Sequence, residues 1–214
     1  MGIAYALTVI SGFASLLPAI AGWWRLPHIR TAFYPFILLL TANFIAELVS
    51  FLSIRHWGIN THWYHIYALV SALLILWQLY TWTFLSRFAR LLQIIALLLC
   101  ILWILTRHQS GESMVLTIWL LAKDTCIAGC CFYLLYRRIP DLSFGIHKDA
   151  VVLISSGWLI LFVFDAVIEL LIAWGRWMQT PALAFLQPVF SIINIVVITI
   201  HLIAVIWIPP KTPS

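Results

Sequence analysis

Charged residues are scarce in this chain. Only 9% of its 214 residues are Asp, Glu, Lys or Arg, whereas soluble domains carry about a quarter. This scarcity excludes an ordinary soluble globular protein. The 12 Lys and Arg against 7 Asp and Glu are also too sparse to form the basic face of a nucleic-acid-binding protein, so we expect no nucleic-acid partner.

Cysteine is sparse as well, and all four cysteines, Cys100, Cys126, Cys130 and Cys131, lie in apolar segments. This excludes the disulfide framework of a small secreted domain. Cys126 and Cys130 are four residues apart and could place two thiols on one helix face, as a metal site requires. We favour packing between helices, because no nearby histidine completes a ligand set. The sequence leaves a metal at the functional site open.

Apolar residues are abundant: they make up 64% of the chain, and the mean hydropathy is +1.06. A membrane-spanning helix needs about 20 apolar residues, and the segments lack the alternation of a barrel, so helices are expected. The predicted fold is therefore all-α, a single seven-helix transmembrane domain over residues 1–214. The seven segments are Ile3–Trp23, Ala32–Ile54, Tyr64–Phe84, Leu91–Leu105, Met114–Tyr136, Val151–Trp174 and Phe185–Trp207. The fourth is short, and we expect it to gain length from Arg87–Arg90.

The distribution of basic residues predicts the orientation. Seven spans with an external N-terminus place eight Lys or Arg on the cytoplasmic side and three outside, in accordance with the positive-inside rule. The eight are Arg25, Arg30, Arg87, Arg90, Arg137, Arg138, Lys148 and Lys211, and the three are Arg55, Arg107 and Arg176. We therefore expect a multi-pass protein of the cell membrane, surrounded by the lipid bilayer, with the C-terminus in the cytoplasm.

Two parts of the chain share a pattern. The triplet Arg-Leu-Pro begins at Arg25, and the similar triplet Arg-Ile-Pro begins at Arg138. Each triplet is followed by a pair of polar residues spaced four apart, Asn43 and Glu47 in the first part and Asp165 and Glu169 in the second. A further polar residue comes 31 residues after Glu47 (Gln78) and 32 residues after Glu169 (His201). This pattern predicts a parallel duplication, with repeats over residues 1–88 and 114–208 and a linker helix over 91–105.

This arrangement is similar in architecture to the SWEET-type transporters, but their characteristic Pro-Gln pair is absent, and Gln187-Pro188 has the reverse order. Seven helices also resemble the microbial rhodopsins. The last segment contains no lysine, however, so no retinal Schiff base is expected. His201 likewise has no histidine partner four residues away, as the zinc motif of the alkaline-ceramidase type would require.

The chain loosely resembles bacterial seven-helix integral membrane proteins of about this length. The shared features are the entry to the second helix, Phe33-Tyr34-Pro35-Phe36, an acid later in that helix, Glu47, and a Trp77-Gln78 pair in the third helix. The resemblance covers most of the chain. It implies a seven-helix protein of a bacterial inner membrane, and it implies no particular activity.

Several polar residues fall inside the predicted spans, where a charged side chain costs several kcal/mol and is a functional candidate. The candidate ligand- or ion-binding residues are Asn43, Glu47, Gln78, Lys123, Asp124, Asp165, Glu169, Asn194 and His201. Residues four apart share a helix face, so we expect the Asn43/Glu47 and Asp165/Glu169 faces to turn inward. Lys123 and Asp124 are about 100° apart on their helix. We therefore expect Lys123 to pair with Glu47 or Asp165 instead.

The charges inside the spans do not balance. Glu47, Asp124, Asp165 and Glu169 stand against Lys123 alone, so bound cations, protons or water must neutralise the other acids. The alternative is a set of neutral acids that hydrogen-bond helices together. We predict an outward-facing acidic pocket that binds a cation, a protonated amine or protons.

Three classes of function fit such a pocket. A sensor would signal through a partner protein, because the longest predicted cytoplasmic loop, about Arg137–Ala150, is short. A small-solute transporter would use the parallel repeat. An intramembrane enzyme based on metal or carboxylates ranks last, because no nucleophile with an oriented base and no phosphate-binding loop is present. A transporter needs polar residues in the cytoplasmic half as well, and that half is nearly all apolar, so we favour the sensor.

Overall fold

The computed structural model describes residues 3–58, 60–83, 87–108, 113–141, 148–178 and 186–211. The regular elements in these ranges are helices, as predicted. They are α1 (Ile3–Ala14), α2 (Leu16–Arg25), α3 (Tyr34–Trp57), α4 (Thr61–Thr83), α5 (Arg87–His108), α6 (Ser113–Arg138), α7 (Ala150–Met178) and α8 (Leu186–Trp207). Short 3₁₀ turns precede α3 and follow α6. The predicted boundaries Phe84 and Phe185 lie outside the described residues.

Seven helical segments of the described chain are long and apolar enough to cross a membrane, which confirms the predicted number. The first consists of α1 and α2, which are separated at Ser15. Proline has no backbone N–H, so Pro18 cannot donate to the carbonyl of Ala14, where α1 ends. At the break itself, the hydroxyl of Ser15 donates a hydrogen bond to the carbonyl of Gly12, at 3.1 Å.

The fourth predicted segment, which is short in the sequence, forms a full helix in the structure. α5 comprises 22 residues and begins at Arg87, so the Arg87–Arg90 stretch does extend the apolar segment. The resulting candidate span, Phe88–Thr106, is 19 residues long. Its length matches what a bilayer requires.

Successive segments run up and down, so α2, α4, α6 and α8 end where α3, α5 and α7 begin. We call this the basic end, defined by Arg25, Arg30, Arg90, Arg137, Arg138, Lys148 and Lys211. α3 packs against α4, and α7 packs between α6 and α8. α8 in turn packs against α1 and α2, α4 packs against α6, and α5 lies beside α4 and α6. The helices therefore form one closed bundle with α5 on its outside.

The larger of two hydrophobic core clusters lies towards the basic end. Its largest fully buried side chains include Phe36 on α3, Leu79 on α4 and Trp158 on α7. The rings of Phe36 and Trp158 meet edge to face, with centroids 5.9 Å apart. The half of the bundle beyond this core holds most of the charged side chains inside the spans.

Candidate functional site

Three carboxylates on two helices lie near each other in the half of the bundle opposite the basic end. Asp124 on α6 is buried, whereas Asp165 and Glu169 on α7 are half-buried. Asp165 lies within electrostatic range of both other acids and of Lys123. We call Lys123, Asp124, Asp165 and Glu169 the acidic cluster. All four were candidates from the sequence.

Lys123 pairs with its neighbour in the chain. Its Nζ lies 2.5 Å from Asp124 Oδ1, and both side chains are buried. The prediction that Lys123 pairs with Glu47 or Asp165 is wrong, because the flexible lysine side chain folds back along its own helix. Its ammonium also lies 5.1 Å from the centre of the Phe162 ring on α7. No described donor forms a well-directed hydrogen bond with Asp124 Oδ1, so the contact is an ion pair.

Two tyrosines on α4 complete the surroundings of the acidic cluster, and neither was predicted from the sequence. Tyr64 lies within electrostatic range of Asp124, Asp165 and Glu169. Tyr67 lies within electrostatic range of Asp165 and also of Glu47 on α3. Their spacing of three residues, which places both on one face of α4, is the signal that identifies them.

Asn43 and Glu47 on α3 face different neighbours. Asn43 Oδ1 accepts a hydrogen bond from the Tyr67 hydroxyl at 2.5 Å, which links α3 to α4. Glu47 instead lies against α1, where a Cβ on Gly12 would come within 2.9 Å of its Oε2. The Glu47 side chain is exposed at the surface of the chain. Its carboxylate nevertheless occupies a slot between the helices that the missing side chain of Gly12 leaves, and it lies within electrostatic range of Tyr67. The expectation that this face of α3 turns inward stays a prediction.

Gln78 lies in the opposite half and joins α4 to the start of α3. It is fully buried. Its Oε1 accepts a hydrogen bond from the Phe36 N–H at 2.7 Å, and its Nε2 donates to the Ala32 carbonyl at 2.5 Å and to Thr81 Oγ1 at 3.0 Å. Because the first N–H groups of a helix have no partner within it, Gln78 acts here as a cap supplied by a neighbouring helix. It is not part of the acidic cluster.

His201 also lies towards the basic end. It is buried, and its ring meets the ring of Phe36 edge to face, with centroids 5.3 Å apart. Its Nε2 faces Gly157 on α7, where a Cβ would come within 2.7 Å. The imidazole interacts with the backbone of Ile154, although Nε2 has no hydrogen bond of good geometry with a described residue. His201 therefore belongs to the aromatic core.

Asn194 on α8 holds α8 to α1. Its Nδ2 donates a hydrogen bond to Ser11 Oγ at 2.9 Å and lies 3.3 Å from the backbone carbonyl of Ser11. Ser191, one turn earlier, lies beside Thr8, with their hydroxyl oxygens 3.4 Å apart. Asn194 thus contributes to helix packing at the closure of the bundle.

Within the described part of the chain, no three His, Cys, Asp or Glu side chains are arranged to hold a metal ion. Cys126 is half-buried and Cys130 is buried in α6, and neither forms a disulfide; the preference for packing over metal binding stays a prediction. The acidic cluster offers carboxylate oxygens and two nearby phenols. Such groups can hold a monovalent cation, an ammonium group or a proton.

No protein family matches this chain, and neither the curated proteins nor the solved structures include one with significant similarity to it.

Proposed function

We propose that this chain is an integral membrane sensor that binds a monovalent cation, a protonated amine or protons at the acidic cluster. The observation that supports this most is the state of Asp165. It lies inside a candidate span, it is half-buried, and no described residue gives it a hydrogen bond or an ion pair. An ionised carboxylate only accepts hydrogen bonds, and inside a membrane it needs a partner.

The charge balance supports a positively charged ligand. Lys123 is committed to Asp124 at 2.5 Å, so it is not the direct partner of Asp165. Glu169 lies within electrostatic range of Asp165 and adds a second negative charge one helical turn away. A bound cation or proton would relieve this repulsion, whereas an anionic ligand would increase it.

Insertion in a membrane is part of the proposal. Every one of the seven apolar segments exposes large hydrophobic side chains, for example Ile20, Phe51, Leu97, Phe132 and Val196. Monomeric soluble proteins rarely expose contiguous apolar patches of more than a few hundred Å². Lipid acyl chains would cover this surface, and the basic end would then face the cytoplasm.

The experiment compares ligand-induced stabilisation of the purified protein in an uncharged detergent. Sodium chloride and methylammonium chloride are titrated at constant ionic strength, with choline chloride as the balancing salt, and a pH series tests protons. We expect a saturable rise in the melting temperature of the wild type. Asp165→Asn, which removes the charge and keeps the shape, should abolish the rise.

The matched control for this experiment is Asp149→Asn, the same exchange at the basic end. Asparagine caps a helix about as well as aspartate does, so this variant should keep the response. A response that Asp165→Asn leaves intact, or no response in the wild type to either salt or to pH, would contradict the proposal.

A small-solute transporter is the second candidate, because the packing fits a parallel duplication. The triplet α1/α2, α3 and α4 and the triplet α6, α7 and α8 contact each other at both junctions, α4 with α6 and α8 with α1 and α2. Phe36 on α3 and Trp158 on α7 meet between the triplets. Uptake of methylammonium into sealed proteoliposomes, driven by its own gradient, tests for transport. A sensor binds methylammonium and gives no uptake above protein-free vesicles.

A further inference from the structure

A large cavity opens at the basic end, away from the acidic cluster. Its volume is about 970 Å³, and it lies between the starts of α3 and α7 and the ends of α4, α6 and α8. Cavities of about 300–1,000 Å³ are typical of small-molecule sites. The cavity is therefore large enough to hold a ligand.

The walls of the cavity are strongly positive. Arg30, Arg137, Arg138 and Lys148 line it, and Asp149 is the single acid among the described lining residues. These cations come from three different parts of the chain: the approach to α3, the end of α6 and the start of α7. Folding therefore brings them together around one space, and the described lining residues carry a net charge of +3.

Asp149 is already occupied by other contacts. Its Oδ2 accepts hydrogen bonds from Arg138 at 3.0 and 3.2 Å. Its Oδ1 accepts the backbone N–H groups of Val151 and Val152 at 2.8 and 3.1 Å, so it caps the start of α7. Among the described residues, neither Arg30 nor Lys148 has a carboxylate partner. Their charges remain available to a ligand.

Aromatic side chains position the cations and supply a further donor. The Lys148 ammonium lies 5.8 Å from the centre of the Trp207 ring, and the Arg137 guanidinium lies 5.7 Å from that of Tyr133. Trp82 also lines the cavity, and its buried indole N–H has no acceptor in the described part of the chain. A buried donor without an acceptor is uncommon and calls for a partner.

We propose that this cavity binds a phosphate-bearing anion. Arginine guanidinium groups match phosphate oxygens in geometry and charge, and the cations outnumber the acid enough to accept more than one negative charge. Two sources offer this chemistry at the basic end of a membrane protein: the headgroup of an anionic lipid and free phosphate. The inference concerns the opposite end of the bundle from the proposed cation site and does not depend on it.

The general excess of basic residues at cytoplasmic faces does not explain this cavity by itself. Arg90 belongs to the same end and is exposed, but it does not line the cavity. This difference provides a matched control. Arg90→Gln removes a charge from the basic end, whereas Arg30→Gln combined with Lys148→Gln removes charges from the cavity.

The test measures binding to the purified full chain in an uncharged detergent, by melting temperature and by native mass spectrometry. Phosphatidylglycerol is the anionic lipid probe, phosphatidylcholine is its neutral control, and inorganic phosphate at constant ionic strength is the free anion. We expect saturable binding of phosphatidylglycerol or of phosphate. The Arg30/Lys148 double variant should weaken it about tenfold or more, and Arg90→Gln should leave it unchanged.

Each outcome of this test bears on the proposal. Binding of phosphatidylglycerol without phosphate identifies a lipid headgroup, and saturable binding of phosphate identifies a soluble ligand. The charge-preserving double variant, Arg30→Lys with Lys148→Arg, should retain most binding, which separates loss of charge from loss of fold. The proposal is overturned if neither probe binds, if phosphatidylcholine binds equally well, or if Arg90→Gln weakens binding as much as the double variant does.

Discussion

The ammonium of Lys123 lies 2.5 Å from the carboxylate of the next residue, Asp124, in the interior of the bundle. Removal of one partner from a buried ion pair leaves an uncompensated charge and costs more than removal of both. Lys123 therefore compensates Asp124, whereas no described residue forms an ion pair with Asp165.

Lys123→Met should destabilise the protein by roughly 3–5 kcal/mol if Asp124 remains ionised. The double variant Lys123→Met/Asp124→Asn should recover most of this loss, and Lys123→Met/Asp165→Asn should recover much less. Two double-mutant cycles on thermal unfolding in detergent measure the difference. Strict additivity of Lys123 and Asp124, or stronger coupling of Lys123 to Asp165, would contradict the pairing.

Gln78→Leu should destabilise the protein because it removes three hydrogen bonds at the junction of α3 and α4. The Phe36 N–H would lose its side-chain partner, whereas the Ala32 carbonyl would keep the hydrogen bond from the Thr81 hydroxyl. An unsatisfied buried group costs about 1–3 kcal/mol, so a loss of about 1–3 kcal/mol is expected. The control is Gln93→Leu on α5, where the glutamine is exposed and the exchange should change stability by less than about 0.5 kcal/mol. Equal melting temperatures for the two variants would rule out the capping role of Gln78.

Gly157→Ala should be destabilising, whereas Gly129→Ala should be neutral or stabilising. A Cβ at Gly157 would lie 2.7 Å from His201 Nε2, but nothing lies within 4 Å of a Cβ at Gly129. Overpacking costs about 1–3 kcal/mol, while alanine in an open helical position stabilises by up to about 1 kcal/mol. Thermal unfolding of the two variants measures the contrast. If Gly157→Ala were as stable as Gly129→Ala, the close contact between α7 and His201 would be disproved.

The sequence predicts the helical segments well because apolar composition alone determines them. The number of segments is confirmed, and even the short fourth one gains its length at Arg87 as expected. The break between α1 and α2 is less visible, since apolar residues continue across Ser15. The sequence indicates this break only through Pro18, which has no backbone N–H to donate to the carbonyl of Ala14.

The partners of individual side chains were harder to predict. Helical spacing places Lys123 and Asp124 in different directions, but a long flexible side chain can bend back. Glu47 lies where it does because Gly12, 35 residues earlier in the chain, provides a slot. Such contacts depend on how distant helices pack, and one helix's periodicity contains no information about this.

The cavity at the basic end shows the same limit. From the sequence, Arg30 and Lys148 indicate only which end of the bundle carries positive charge. They share one cavity with Arg138 because α3, α6 and α7 pack together at this end. Asp149, which positions Arg138 and caps α7, was not predicted from the sequence as a functional residue.

The last prediction concerns the orientation of the bundle. The basic end should face the cytoplasm, because seven of the eight Lys or Arg residues assigned to that side define it, and positive charge is retained there. α5 and α8 end at opposite ends of the bundle, since α5 begins at the basic end and α8 finishes there. Reporter fusions in a bacterial host should therefore report the exterior when joined after Gln109 and the cytoplasm when joined after Ser214. Reversed signals would overturn the orientation, and signals from one side for both fusions would overturn the seven-span topology itself.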